Sequence, residues 1–198
     1  LAHLITVLIS PLLTRLYPVE SFGQLQFFHS SIIIGSFIIT GTYELAIIIP
    51  EKRNKAISLF CISFILAGSL SMILYFPMLI GYEYLFSNFT IAAFYIFLFP
   101  ITLFLNSALN IYQYWYLRHD NYNLLSGAKL TQSSSIGILQ ALFGYSFFLN
   151  YGLLLGYFIG RVITLLLFIY KAGGKFWREV KKVKVKVLRK DAIEFINQ

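Results

Sequence analysis

The chain has 198 residues, of which 58% are hydrophobic and only 12% are charged, and its mean hydropathy is +0.74. A soluble domain carries about 25% charged residues, so this composition excludes a water-facing globule and predicts an integral membrane protein. The net charge of +8 is concentrated near the C-terminus, where it suits an anionic lipid surface, and we expect no nucleic-acid partner.

Six apolar runs follow one another along the chain, and all but the first are continuous for about twice the length of a β-barrel strand. They lie at residues 1–13, 25–49, 56–80, 89–111, 130–149 and 151–170. We therefore predict an all-α, polytopic transmembrane bundle of about six helices. A span needs about 20 apolar residues, so the first run predicts a fragment that begins inside its first helix. Residues 1–170 form the predicted helical lobe, and residues 171–198 a basic cytoplasmic linker.

Lysine and arginine are confined to alternate loops of this arrangement. Residues 50–55, 112–129 and 171–190 together hold fourteen of them, whereas the loops on the other side hold only Arg15. Because positively charged loops stay in the cytoplasm, this pattern predicts a multi-pass membrane protein whose basic loops are cytoplasmic. We expect Arg15 at the outer interface.

The basic tail carries apolar residues at a helical spacing, Phe176, Val180, Val183 and Val187. This pattern favours an amphipathic helix on the membrane surface over a strand or a solvated linker. Its predicted contacts with anionic headgroups are a set of lysines: Lys181, Lys182, Lys184 and Lys186.

Arg161 is the most informative charged residue, because it lies about ten residues inside the sixth apolar run. A charge in hydrocarbon is costly and normally faces a cavity or a partner. A guanidinium there either binds phosphate or a sugar acid through its planar fork, or forms a structural ion pair with an acid on a neighbouring helix.

Other polar residues within the runs are weaker candidates. Glu44 lies near the cytoplasmic end of the second run, where it either couples transport to an ion or pairs with a nearby lysine or arginine. The amides of the fourth and fifth runs either join helices or line a hydrophilic path, and four are candidate cavity residues: Asn106, Asn110, Gln132 and Gln140.

Catalytic and metal-binding motifs are absent from the sequence, which lacks HExxH, CxxC, GxSxG and phosphate-binding glycine patterns. The three histidines, His3, His29 and His119, have no metal-site spacing and are interpreted as structural or interfacial. We therefore expect no enzymatic site among these residues, no cofactor and no metal.

One segment is specific enough to suggest a family. Residues 9–23 read ISPLLTRLYPVESFG, with a proline in the helix, then Thr-Arg-Leu-Tyr, a short turn and Phe-Gly. This resembles the join between the first two helices of bacterial Wzx-type O-antigen and capsule flippases, in the multidrug/oligosaccharidyl-lipid/polysaccharide exporter superfamily. Residues 43–50 (YELAIIIP) resemble the end of that family's second helix, and residues 155–161 (LGYFIGR) resemble its sixth helix.

The resemblance implies one lobe of a transporter with about twelve to fourteen helices in two pseudo-symmetric bundles. Its implied cargo is undecaprenyl-diphosphate-linked oligosaccharide, moved to the outer leaflet for O-antigen or capsule synthesis. Membrane lipid, the lipid-linked oligosaccharide and assembly proteins such as a polysaccharide polymerase are the implied partners.

Two other classes share this composition. A membrane-embedded polysaccharide polymerase or ligase is expected to carry a large outer loop with catalytic Arg or His, and the outer loops here are short. A multidrug exporter of the same superfamily would favour acidic cavity residues for cationic drugs.

Overall fold

The computed structural model describes residues 2–80, 92–145 and 151–182, and within these ranges every regular element is helical. The elements are α1 (Ala2–Leu16), α2 (Val19–Thr40), a 3₁₀ helix (Leu45–Ile47), α3 (Arg53–Ile80), α4 (Ala92–Arg118), α5 (Tyr122–Gly144) and α6 (Gly152–Lys182). The predicted all-α bundle of six long helices is confirmed. In the same ranges, three segments are long and apolar enough to cross a membrane: Val19–Thr40, Arg53–Phe76 and Gly152–Gly174.

The second helix ends earlier than predicted. The apolar run continues to residue 49, but α2 stops at Thr40, where Gly41 takes the left-handed conformation with φ 53°. Thr42 follows with φ 61°, which is rare for a β-branched residue. Two successive left-handed residues turn the chain sharply, so the rest of the run forms the short 3₁₀ helix.

Polar residues extend two other helices beyond their apolar runs. α4 continues to Arg118 rather than ending at residue 111, and α5 begins at Tyr122 rather than at residue 130. Backbone hydrogen bonding does not require apolar side chains, and Asp120, with φ 51°, makes the turn between the two helices. Residues 81–91 and 146–150 lie outside the described residues.

Glycines bring α5 and α6 into close contact. A Cβ added at Gly156 would lie 2.8 Å from the backbone N of Gln140, and one at Gly160 would lie 2.9 Å from the backbone N of Ile136. Such distances are too short for any side chain, so these positions require glycine. This is the small-residue packing by which membrane helices approach one another without a hydrophobic driving force.

The helices form two packing groups, one of α1, α5 and α6 and the other of α2, α3 and α4. α1 packs along α5, its Ile9 filling the space above Gly137. Although only Tyr17 and Pro18 separate α1 from α2, these two helices do not pack along their lengths. We call the boundary between the groups the seam; it is crossed by contacts of α4 with α5 and α6, and of α2 and α3 with α6.

The predicted basic loops meet at one end of the bundle. Arg118 donates hydrogen bonds to the carbonyl oxygens of Ile47 at 3.0 Å, Ile48 at 3.2 Å and Glu51 at 3.1 Å, which ties the end of α4 to the segment before α3. At the same end Arg53 pairs with Glu179 at 2.9 Å.

α6 changes direction at Gly173, whose φ of 72° and ψ of 163° are not helical, and then continues to Lys182. Phe176 is buried against Phe60 and Trp115, with ring centroids 5.1 and 4.8 Å away. The start of the tail is therefore an amphipathic helix docked on the bundle. The predicted tail positions Val183, Val187, Lys184 and Lys186 lie outside the described residues, and so does the side chain of Lys182.

Candidate functional site

A polar contact crosses the packed interior where α4 meets α6. Arg161 of α6 is 7% exposed and Asn106 of α4 is 8% exposed. Arg161 Nη1 donates a hydrogen bond to Asn106 Oδ1. Arg161 lies near the middle of the candidate span Gly152–Gly174, far from either end. Two of the predicted cavity residues are thus brought together at the seam.

Tyr157, one turn before Arg161, forms the other wall of this contact. The Arg161 guanidinium carbon lies 4.4 Å from the centroid of the Tyr157 ring, in the range of a cation–π interaction. On α2, the rings of Phe28 and His29 meet the Tyr157 ring edge-on at 6.4 and 5.4 Å. We call Arg161, Asn106, Tyr157 and His29 the Arg161 site; it draws on helices of both packing groups.

The polar groups of this site are incompletely satisfied. Arg161 Nε and the Tyr157 hydroxyl are buried and have no hydrogen-bond partner among residues 2–80, 92–145 and 151–182. Arg161 also has no acidic partner in that part of the chain, so the structural ion pair left open by the sequence is not found there. A buried cation without a counter-charge costs several kcal/mol, a cost that a bound anion would offset.

The remaining predicted cavity amides do not join this site. Gln140 is buried, and its Nε2 donates to the carbonyl oxygen of Leu153 at 2.9 Å, while the Tyr17 hydroxyl donates to the Gln140 carbonyl oxygen at 2.7 Å. Gln140 therefore joins α1, α5 and α6. Of the two roles left open by the sequence, joining helices or lining a hydrophilic path, it has the first. Asn110 and Gln132 are half-buried and form no hydrogen bond with Arg161.

Glu44 lies in the interior of the bundle, although it is near the end of the second apolar run. It is only 2% exposed, because the turn after Gly41 directs it inward, and its Oε2 has no hydrogen-bond partner within the described ranges. It lies close enough to Tyr114 of α4 for the two side chains to interact electrostatically. A buried carboxylate oxygen in this state suits proton or cation binding.

Two of the predicted interface residues, Arg15 and Lys181, lie at opposite ends of the bundle. Arg15 is exposed near the α1–α2 turn, at the end opposite the Arg53–Glu179 pair. Lys181 is exposed on the docked part of the tail.

Sequence reasoning missed Tyr157 and assigned His29 only a structural or interfacial role. The four-residue spacing of Tyr157 and Arg161 places them on one helix face and was a usable signal. The approach of His29 is a contact between distant parts of the chain, which no local pattern indicates.

Comparison of the chain with protein-family models, with curated proteins and with solved structures finds no match in any of the three.

Proposed function

We propose that this chain is part of a Wzx-type flippase that moves undecaprenyl-diphosphate-linked oligosaccharide across the bacterial inner membrane. The resemblance of residues 9–23 to the first helix join of that family supports the cargo and the pathway. The three apolar helical segments support the membrane location.

The observation that carries the proposal is the buried guanidinium of Arg161, which has no acidic partner among the described residues. A diphosphate headgroup cannot enter hydrocarbon without replacement of its hydration. A fixed cation with a free Nε–H supplies charge and directed hydrogen bonding where water is excluded. The hydrocarbon tail of such a cargo needs no polar path and stays in the bilayer.

The orientation follows from charge. The segments bearing Arg53, Arg118 and Lys181 share one end of the bundle, and an excess of lysine and arginine favours the cytoplasmic side. With this end in the cytoplasm, the α1–α2 turn and Arg15 face the outside. Anionic lipid headgroups are then the partner of the docked basic tail.

Glu44 is the proposed coupling residue. Its buried carboxylate, with one oxygen unpartnered among the described residues, lies near the cytoplasmic end and apart from the amide contacts of Gln140. A single proton or monovalent cation bound there would neutralise the group, which lowers the cost of burial.

The experiment is deletion of the gene for the full-length protein in its host, followed by location of the lipid-linked repeat units. A flippase defect leaves these units on the cytoplasmic face. Unpolymerised units on the outer face would instead identify a polymerase or ligase. Normal glycan together with greater sensitivity to cationic drugs would identify a multidrug exporter.

A further inference from the structure

We propose that the hydroxyl group of Tyr157 is a second ligand-binding donor of the Arg161 site, directed at a diphosphate group bound between α2 and α6. This inference rests on the proposed function, because it concerns the same anion. It adds Tyr157 to the binding residues and gives the side from which the diphosphate approaches.

Two polar groups on one face of α6 have no hydrogen-bond partner among the described residues. Tyr157 and Arg161 are one turn apart, and they are 6% and 7% exposed. The Tyr157 hydroxyl and Arg161 Nε both lack hydrogen-bond partners in the described part of the chain. Each buried polar group without a hydrogen bond lowers the stability of the fold. A bound ligand that accepts hydrogen bonds from both groups would remove this cost.

One phosphate or diphosphate would satisfy both of these donors. Arg161 is held by Asn106 through Nη1 and by the Tyr157 ring face, so its Nε–H has a fixed position. A phosphate or diphosphate has several acceptor oxygens and can bridge donors from successive helix turns. A neutral sugar hydroxyl would leave the guanidinium charge uncompensated.

The ligand reaches the site from the side of α2. Asn106 closes the α4 side of the guanidinium and is itself buried. On the α2 side His29 is only half-buried, and its ring lies 5.4 Å from that of Tyr157. The diphosphate therefore enters past His29, and separation of α2 from α6 along the seam uncovers the Tyr157 hydroxyl.

The test is equilibrium binding to the purified chain in detergent, with farnesyl diphosphate and inorganic pyrophosphate as separate probes. Tyr157→Phe removes the hydroxyl and keeps the ring beneath Arg161. We expect affinity for the diphosphate to fall about tenfold, the loss typical of a hydrogen bond to a charged group. Without ligand, the melting temperature of this variant should stay the same or rise, because a buried, unpartnered hydroxyl is lost.

Tyr116→Phe is the matched control, because the Tyr116 hydroxyl is also buried but donates to the carbonyl oxygen of Phe168 at 2.9 Å. It should lower the melting temperature and leave diphosphate affinity unchanged. Binding of both probes indicates recognition of the diphosphate itself, and binding of farnesyl diphosphate alone indicates recognition of a lipid-linked diphosphate.

The outcomes separate this inference from the proposed function. If Arg161→Lys weakens binding and Tyr157→Phe does not, the Tyr157 inference is wrong and the proposed function stands. If the unmodified chain binds neither probe, both are overturned.

Discussion

Arg161 of α6 donates a hydrogen bond to Asn106 of α4 across the seam between the two packing groups of the bundle. This contact joins a permanent charge to a neutral amide, so it fixes the position of the guanidinium without neutralising it. Since no acid among the described residues pairs with it, the charge is available to an anion.

Replacement of Asn106 tests that positioning role. Asn106→Leu leaves Arg161 charged and buried but removes its hydrogen-bond acceptor, and we expect a stability loss of about 1–3 kcal/mol. Asn110→Leu, at a half-buried position one turn away, is the control and should cost less. Thermal unfolding in detergent measures both; equal losses would mean that the Arg161 contact adds nothing.

The glycines of α6 provide a second prediction. Gly156→Ala and Gly160→Ala place a methyl group against the α5 backbone, and each should destabilise the fold by about 1–3 kcal/mol. Gly127→Ala on α5 meets nothing within 4 Å and should be neutral or stabilising by about 0.5–1 kcal/mol. Melting temperatures of the three variants compare them directly. A neutral Gly156→Ala would contradict the close approach of the two helices.

Docking of the basic tail should depend on packing more than on charge. Phe176→Ala removes a buried aromatic ring and should cost about 3–5 kcal/mol, enough to release the segment beyond Gly173. Glu179→Gln breaks the partly exposed pair with Arg53 and should cost less than about 1 kcal/mol. Limited trypsin digestion near Lys181 reports the release. If trypsin cleaved the Glu179→Gln protein faster than the Phe176→Ala protein, the ion pair would contribute more to docking than packing does, which would contradict this prediction.

The proposed coupling role of Glu44 gives a functional prediction. Glu44→Gln keeps the shape of the side chain and removes its ability to take up and release a proton. Transport by the full-length protein should then lose its dependence on an imposed proton or sodium gradient, while protein stability is kept or raised. Glu20→Gln, on the first turn of α2, is the control for loss of an acid. Unaltered gradient dependence in Glu44→Gln would exclude the coupling role.

Much of the fold was accessible from the sequence because membrane helices are long and continuously apolar. The burial of Arg161 followed from its depth in an apolar run. Asn106 was predicted as a cavity residue, but the sequence did not pair it with Arg161. The end of α2 was not predicted, because only the left-handed conformations of Gly41 and Thr42 interrupt a run that stays apolar to residue 49.

The other features that the sequence did not predict depend on contacts between distant parts of the chain. The separation of α1 from α2 depends on Gly137 and Gly144 of α5, which accept Ile9, Leu16 and Tyr17. The covering of Tyr157 by α2 depends likewise on how three helices meet. Hydrophobic periodicity identifies the buried face of a helix but not the partner that buries it.

The central claim is that Arg161, which has no acidic partner among the described residues, binds the anionic headgroup of a transported lipid. The most direct test is the amount of surface glycan made by cells that depend on the full-length protein carrying Arg161→Gln, with membrane insertion verified by immunoblot. We predict glycan export reduced at least about tenfold, since a charge-assisted bond is lost, and lipid-linked units accumulating on the cytoplasmic face. Normal export by a correctly inserted Arg161→Gln protein would contradict the account.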